Sequence, residues 1–348
     1  MNFVFFLLIG IFFSKAFIKT QITDPQIIEY GATYLRIICC LSFGIFFQMT
    51  FERLLQSTGK TIYSMFSQAT GAIINIIFDP LLIFGIGPFP RLGVAGAAYA
   101  TILGQIIGSC IGLYCNLKFN NEIKLSFNKM IKPDRSTISE IYYVGIPSML
   151  MMSIGSAMTY LMNLILGAFS STATAVFGVY FKLQSFFFMP VFGLNNGLIP
   201  VLAYNYGAKK KDRIKEALQF SLILAVSIMV IGCITFLAIP GTLLSFFNAS
   251  DDMMAIGIPA LRTICLSFPL AGVCIAMGSI FQAFSKSFYS LVVSVGRQLV
   301  VLIPVAWLFS KTGVIDLVWW AFPIAELMSL VLSSYFFKKL YKERVATL

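Results

Sequence analysis

The sequence predicts an all-α integral membrane protein of about ten transmembrane helices in two pseudo-symmetric lobes. Three observations carry that expectation. Of 348 residues, 58% are hydrophobic and 11% charged, with a mean hydropathy of +0.88, whereas soluble domains carry about 25% charged residues. Apolar stretches long enough to cross a hydrocarbon core, about 20 residues each, recur along nearly the whole chain. The chain also resembles itself. Shifted by 226 residues, Gly31, Leu35, Arg36, Ile38, Cys39, Gln56, Lys60, Tyr63 and Ser64 fall on Gly257, Leu261, Arg262, Ile264, Cys265, Gln282, Lys286, Tyr289 and Ser290.

Residues 1–18 begin with an apolar run that has no basic residue before it and no small-residue cleavage site after it. It is read as the start of a span, not as a secretory leader. Apolar runs bounded by charge, Gly or Pro then give spans at 31–55, 62–87, 93–117 and 138–167. Five more follow at 172–203, 214–240, 255–282, 288–310 and 314–338. All are too long for strands of a membrane barrel. The expected organisation is an N-terminal lobe of four spans at 1–117, a basic cytoplasmic linker at 118–137, and a C-terminal lobe of six spans with a tail at 138–348. The linker carries Lys118, Lys124, Lys129, Lys132 and Arg135, and is read as a topology signal or as a contact for anionic lipid. Both copies of the repeat begin on one side of the membrane, so the repeat is parallel, and substrate is expected between the lobes. Four spans against six predicts that two helices are missing before residue 1, either a remnant of a twelve-helix design or a misplaced start.

Basic residues concentrate on the cytoplasmic side of membrane proteins. The segment 116–140, the Gly59-Lys60 turn, Lys209 to Lys215, Lys286 and the tail from Lys338 to Arg344 share one side and hold 16 of the 25 Lys and Arg. The opposite loops hold four: Lys15, Lys19, Arg91 and Lys311. Both termini are therefore expected in the cytoplasm, with the protein in the cell (plasma or inner) membrane. The net charge of +11 lies in these loops, so no nucleic acid partner is expected. The chain has no histidine, which removes the commonest general base and most zinc and haem sites. An enzyme is not expected, nor a cofactor. The seven cysteines lie inside apolar segments without a Cys-x-x-Cys pair and read as packing residues.

From Gln68 to Gly85 the chain reads QATGAIINIIFDPLLIFG, and from Gly93 to Thr101 GVAGAAYAT. Gly145-Ile146-Pro147-Ser148 opens a later span, and Pro200 to Tyr204 followed by Asn205-Tyr206-Gly207-Ala208 closes another. In these motifs the sequence resembles the multidrug and toxic compound extrusion (MATE) family, over essentially the whole chain, as that family's third through twelfth helices. The resemblance implies a cation-coupled antiporter in which Na⁺ or H⁺ entry drives export of organic, often cationic, drugs or metabolites by alternating access. A monomer is expected. In the family the ion site also uses an aspartate on the first helix, absent from this sequence. Some members carry a second acidic site eight residues after the proline matching Pro147, where this chain has Gly155, so no second sodium site is expected there.

The polar residues of the motif support a site on their own chemistry. Asn75 and Asp79 are four apart and share a helix face, and an ionisable group inside a bilayer is a functional candidate by default. Pro80 lacks an N–H, which frees the Ile76 carbonyl beside them. With the Thr101 hydroxyl on the next helix, this is an oxygen set for a hard cation, or for a proton on Asp79. The same residues also suit hydrogen bonds that merely tie helices together. Gln68, Lys182, Arg297, Glu326 and Met152 are candidates to line the substrate cavity, with Lys182 paired to Glu326, or else Lys182 snorkelling. Two alternatives stand beside the antiporter: a lipid-linked oligosaccharide flippase of the same superfamily, and an inactive truncated transporter.

Overall fold

The computed structural model describes residues 2–19, 24–123 and 134–345, which are helical apart from short connections. Lys124, Lys129 and Lys132 of the predicted linker lie outside the described residues. The chain forms two compact units, Met1–Met130 and Ile131–Leu348.

In the first unit α1 (Asn2–Phe12) and α2 (Ser14–Lys19) lie against α3 (Pro25–Cys40). Asp24 starts α3 by accepting from the Gln26 and Ile27 N–H groups at 2.8 and 3.3 Å, with Pro25 at the first helical position. A bend of 47° separates α3 from α4 (Phe43–Ser57). α5 (Thr61–Phe84) and α6 (Val94–Phe119) complete the unit, and α6 packs on α3, α4 and α5 together. Its sequence explains that central place. Gly96, Ala100, Gly104, Gly108 and Gly112 recur at every fourth position, a face of small residues along which neighbouring backbones come close. A methyl on Gly104 would overlap the Gly71 carbonyl, and one on Gly96 the Leu82 carbonyl.

The second unit runs α7 (Arg135–Gly167), α8 (Ser171–Gly207), α9 (Lys211–Ala238), α10 (Pro240–Ser245), α11 (Asp251–Ile264), a 3₁₀ turn (Cys265–Ser267) and α12 (Phe268–Ala283). It continues through α13 (Ser287–Val295), a π-helical segment (Gly296–Leu302), α14 (Ile303–Ser310), α15 (Ile315–Trp319) and α16 (Ala321–Leu340). Its core gathers Phe177, Met229, Phe236, Phe268 and Trp319, all fully enclosed. α12 lies at the centre, against α8, α9 and α16.

Among the described residues eight helices are long and apolar enough to cross a membrane, or nine with the bent α3–α4 pair as one span. They fall where the sequence places the second to tenth spans. The first expected span, 1–18, is instead an apolar helix of 11 residues and one of 6, divided at Phe13. The backbone ladder still runs across the joint, the Phe13 N–H donating to the Ile9 carbonyl and the Phe17 N–H to the Phe13 carbonyl at 2.9 Å each, while the Ser14 hydroxyl donates to the Gly10 carbonyl. Large apolar side chains such as Phe5, Ile76, Phe186 and Val331 are more than half exposed, which water would not tolerate at this scale and lipid accepts. The chain is a multi-pass membrane protein.

The internal repeat has a backbone counterpart. Gly59 has φ 77 and Ser285, its equivalent at the same offset, φ 57. In both turns the next N–H reaches back five residues, Lys60 to the Leu55 carbonyl at 2.8 Å and Lys286 to the Phe281 carbonyl at 2.7 Å. The break between α3 and α4 matches the 3₁₀ turn between α11 and α12 in the same register.

Candidate coupling-ion site

The α5–α6 contact sets the geometry of the predicted cluster. The backbones close at Gly71 against Gly104 and at Leu82 against Gly96. The connection is tied back where the Leu92 N–H donates to the Leu82 carbonyl at 2.9 Å and the Gly93 N–H to the Ile83 carbonyl at 3.2 Å. Between these close points, short side chains suffice to meet. Asn75 Nδ2 donates to Asp79 Oδ1 and to Thr101 Oγ1, each at 3.3 Å. The Thr101 hydroxyl donates to the Ala97 carbonyl at 2.9 Å, leaving its lone pairs to the cluster. All three side chains are half-buried. Pro80 lies inside α5, one residue past Asp79, and leaves the Ile76 carbonyl without its ladder partner.

A carboxylate, a hydroxyl and a freed carbonyl form a donor set that fits a hard cation, and the carboxylate alone fits a proton. In the arrangement seen, the Asn75 amide turns its nitrogen toward both neighbours. A half-turn about χ2 presents Oδ1 instead, completing an all-oxygen set.

The structure also brings Arg297 and Glu326 together, Nη1 to Oε2 at 3.0 Å. This corrects the expected pairing of Lys182 with Glu326. α16 packs directly on the π-helical segment that carries Arg297, so the guanidinium reaches the carboxylate first. The Lys182 ammonium instead lies 5.9 Å over the Phe247 ring. Gln68, on α5 two turns before Asn75, is exposed, as is Met152 on α7. Two polar residues outside the sequence reading, Gln48 and Glu52 on α4, are buried within the first unit. Their spacing of four in an apolar helix is the signal that marks them.

The family described as MatE matches residues 2–81 and 147–308, a stretch that includes Asn75 and Asp79. The chain is 28% identical over 317 residues to the multidrug export protein MepA of Staphylococcus haemolyticus, covering 89% of this chain and 67% of that one. It is 31% identical over 297 residues to an FAD transporter of Shewanella oneidensis, covering 84% and 65%. The chain thus spans about two thirds of the length of these curated relatives. Among solved structures, an outward-facing multidrug resistance MATE transporter of the MOP superfamily superposes with a TM-score of 0.83 at 21% identity, covering 98% of this chain and 78% of that one. A MOP superfamily transporter from Pyrococcus furiosus superposes with a TM-score of 0.84 at 20% identity, covering 97% and 76%.

Proposed function

The chain belongs to the MatE family of membrane transporters, and from that premise we propose that it exports organic compounds in exchange for Na⁺ or H⁺. Alternating access is biased by cation binding at Asp79. The observation that carries this reading is the cluster of Asn75, Asp79 and Thr101, which joins two helices through polar groups at membrane depth. The carboxylate takes up the cation on one side of the membrane and releases it on the other as access alternates. No enzymatic step and no cofactor enter. The substrates are small organic compounds, often cationic; that the MepA relatives are named multidrug export proteins supports drug-like compounds as the class. Gln68, Met152, Lys182, Arg297 and Glu326 are the residues to test as cavity lining. The protein acts as a monomer in the plasma or inner membrane, with both termini cytoplasmic.

A second reading has its own support. Arg297 keeps 34% of its side chain exposed although it lies near the middle of a span, where an open charge belongs beside water. With an FAD transporter among the relatives, an anionic substrate that engages this guanidinium is the alternative.

The test is efflux of a fluorescent organic cation from cells expressing the chain, wild type beside Asp79→Asn, with sodium and pH gradients varied separately. Wild-type export that falls at least about tenfold in Asp79→Asn is expected, and the gradient that matters names the ion. Normal export by the mutant would overturn the site. Inhibition of export by an excess of a dinucleotide, lost in Arg297→Gln, would favour the anionic reading.

A further inference from the structure

One face of α16 is exposed from Leu327 to the end of the helix. Leu327, Val331 and Tyr335 recur at every fourth position with 53%, 69% and 62% of their surface exposed. Lys338 and Lys339 follow three and four residues after Tyr335, and Lys342 comes one turn later; all three are exposed. Positions three and four apart share a helix face, so a single stripe passes from aliphatic to phenolic to cationic. That order follows the layers of a membrane, from hydrocarbon through the interface to the headgroups. A helix C-terminus favours lysines in any surroundings. It gives no reason for them to stand in line with the face that meets lipid.

The base beneath these lysines is fixed. A π-helical turn, Tyr341–Val345, continues α16, and its Val345, like Leu340, is fully enclosed in a cluster with Leu202 of α8, Ile214 of α9 and Phe281 of α12. Arg344 Nη1 donates to the Tyr206 hydroxyl at 3.3 Å, which ties the turn to the end of α8. The same end of the unit carries Lys209, Lys210 and Arg213, all exposed, with Asp212, Glu216 and Glu343 as its acids. Tyr204 and Phe288, close to the ends of their helices there, are exposed rings like Tyr335, as in the aromatic belt of a membrane interface. The opposite end of the unit has Asp251, Asp252 and Asp316, with Lys311 held 4.9 Å over the Trp307 ring. Positive charge is thus confined to the end where the α16 stripe finishes.

We propose that Lys338, Lys339 and Lys342 bind the headgroup of an anionic phospholipid whose acyl chains lie along Leu327 and Val331. Each ammonium offers three donors to phosphate oxygens, and the phenol of Tyr335 takes the interfacial level between headgroup and chains. A zwitterionic headgroup carries its own cation beside the phosphate and gains less from the lysines. The site stands apart from the Asp79 cluster and from the export reading; only the leaflet it faces rests on the cytoplasmic placement of the tail.

The test is fluorescence of the full chain in phosphatidylcholine vesicles that contain a brominated lipid as quencher. Tyr335→Trp sets an indole on the stripe, and the signal of the native Trp307, Trp319 and Trp320 is taken from the parent chain. Brominated phosphatidylglycerol is expected to quench the added indole with an apparent affinity at least about fivefold above that of brominated phosphatidylcholine, the worth of one basic residue at an anionic surface. Lys338→Gln, Lys339→Gln and Lys342→Gln together are expected to abolish that preference, and arginine at the same three positions to keep it, which a merely structural role of the lysines would not produce. Equal quenching by the two lipids, or a preference that outlives the glutamine changes, would overturn the proposal.

Discussion

Glu326 keeps 7% of its side chain exposed and Arg297 34%, so the pair is enclosed on the carboxylate side and open on the other. Removing one partner leaves a charge without its counter-ion, a change that costs about 3–5 kcal/mol in fully buried pairs. The open face of Arg297 lets water replace part of that interaction, so Glu326→Gln is expected to cost about 2–3 kcal/mol. Replacing both with apolar residues, Arg297→Met with Glu326→Leu, is expected to recover most of the loss, because an ion pair gains little over good packing. Thermal unfolding of the purified variants in detergent checks the order; a double variant less stable than either single one would show that the pair stabilises outright. That both charges lie within spans was legible in the sequence. Which cation Glu326 takes was not, because the choice depends on α16 lying against the π-helical segment, a neighbour relation that no local spacing encodes.

Among elements, α6 decides most. Its stripe of small residues brings α5 close enough for Asn75 to reach Thr101, and Gly108 of the same stripe lies against Gln48 on α4. Gly104→Ala would set a methyl against the Gly71 carbonyl, so the helices must part by a few tenths of an ångström. The expected cost is about 1–3 kcal/mol, with efflux falling as the 3.3 Å contact between Asn75 and Thr101 lengthens. Gly178→Ala on α8, where a methyl would meet nothing within 4 Å, serves as the control and should transport normally. Equal loss in both variants would mean that helix glycines matter for flexibility and not for close approach. The Asn75–Asp79 half of the site could be read from a spacing of four, since helix geometry fixes it. Thr101 was expected there for the oxygen chemistry of its hydroxyl, but its place depends on the docking of another helix, which no spacing within α5 encodes. Glu52 escaped notice because, beside Arg53 and Gln56, it reads as an end-of-helix charge; its burial depends on how the helices of the unit pack.

For the molecule as a whole, span positions were the most legible feature, because hydrophobic length responds to the thickness of the bilayer and not to tertiary detail. The exception is residues 1–18, which composition reads as one continuous run and the structure forms as helices of 11 and 6 residues. The repeat was legible as scattered identities, and the structure adds that the turns at Gly59 and Ser285 share a backbone shape and a hydrogen bond. That shape belongs to the left-handed region, which glycine enters freely and a side chain enters at about 1–2 kcal/mol. The two joints are therefore built to one pattern from unequal material. Ser285→Gly is expected to raise thermal stability by about 1 kcal/mol, and Gly59→Ser to lower it by a similar amount. In the unaltered protein the connection after α12 is the tenser of the pair, so on warming its amides should exchange with solvent before those of its twin after α4.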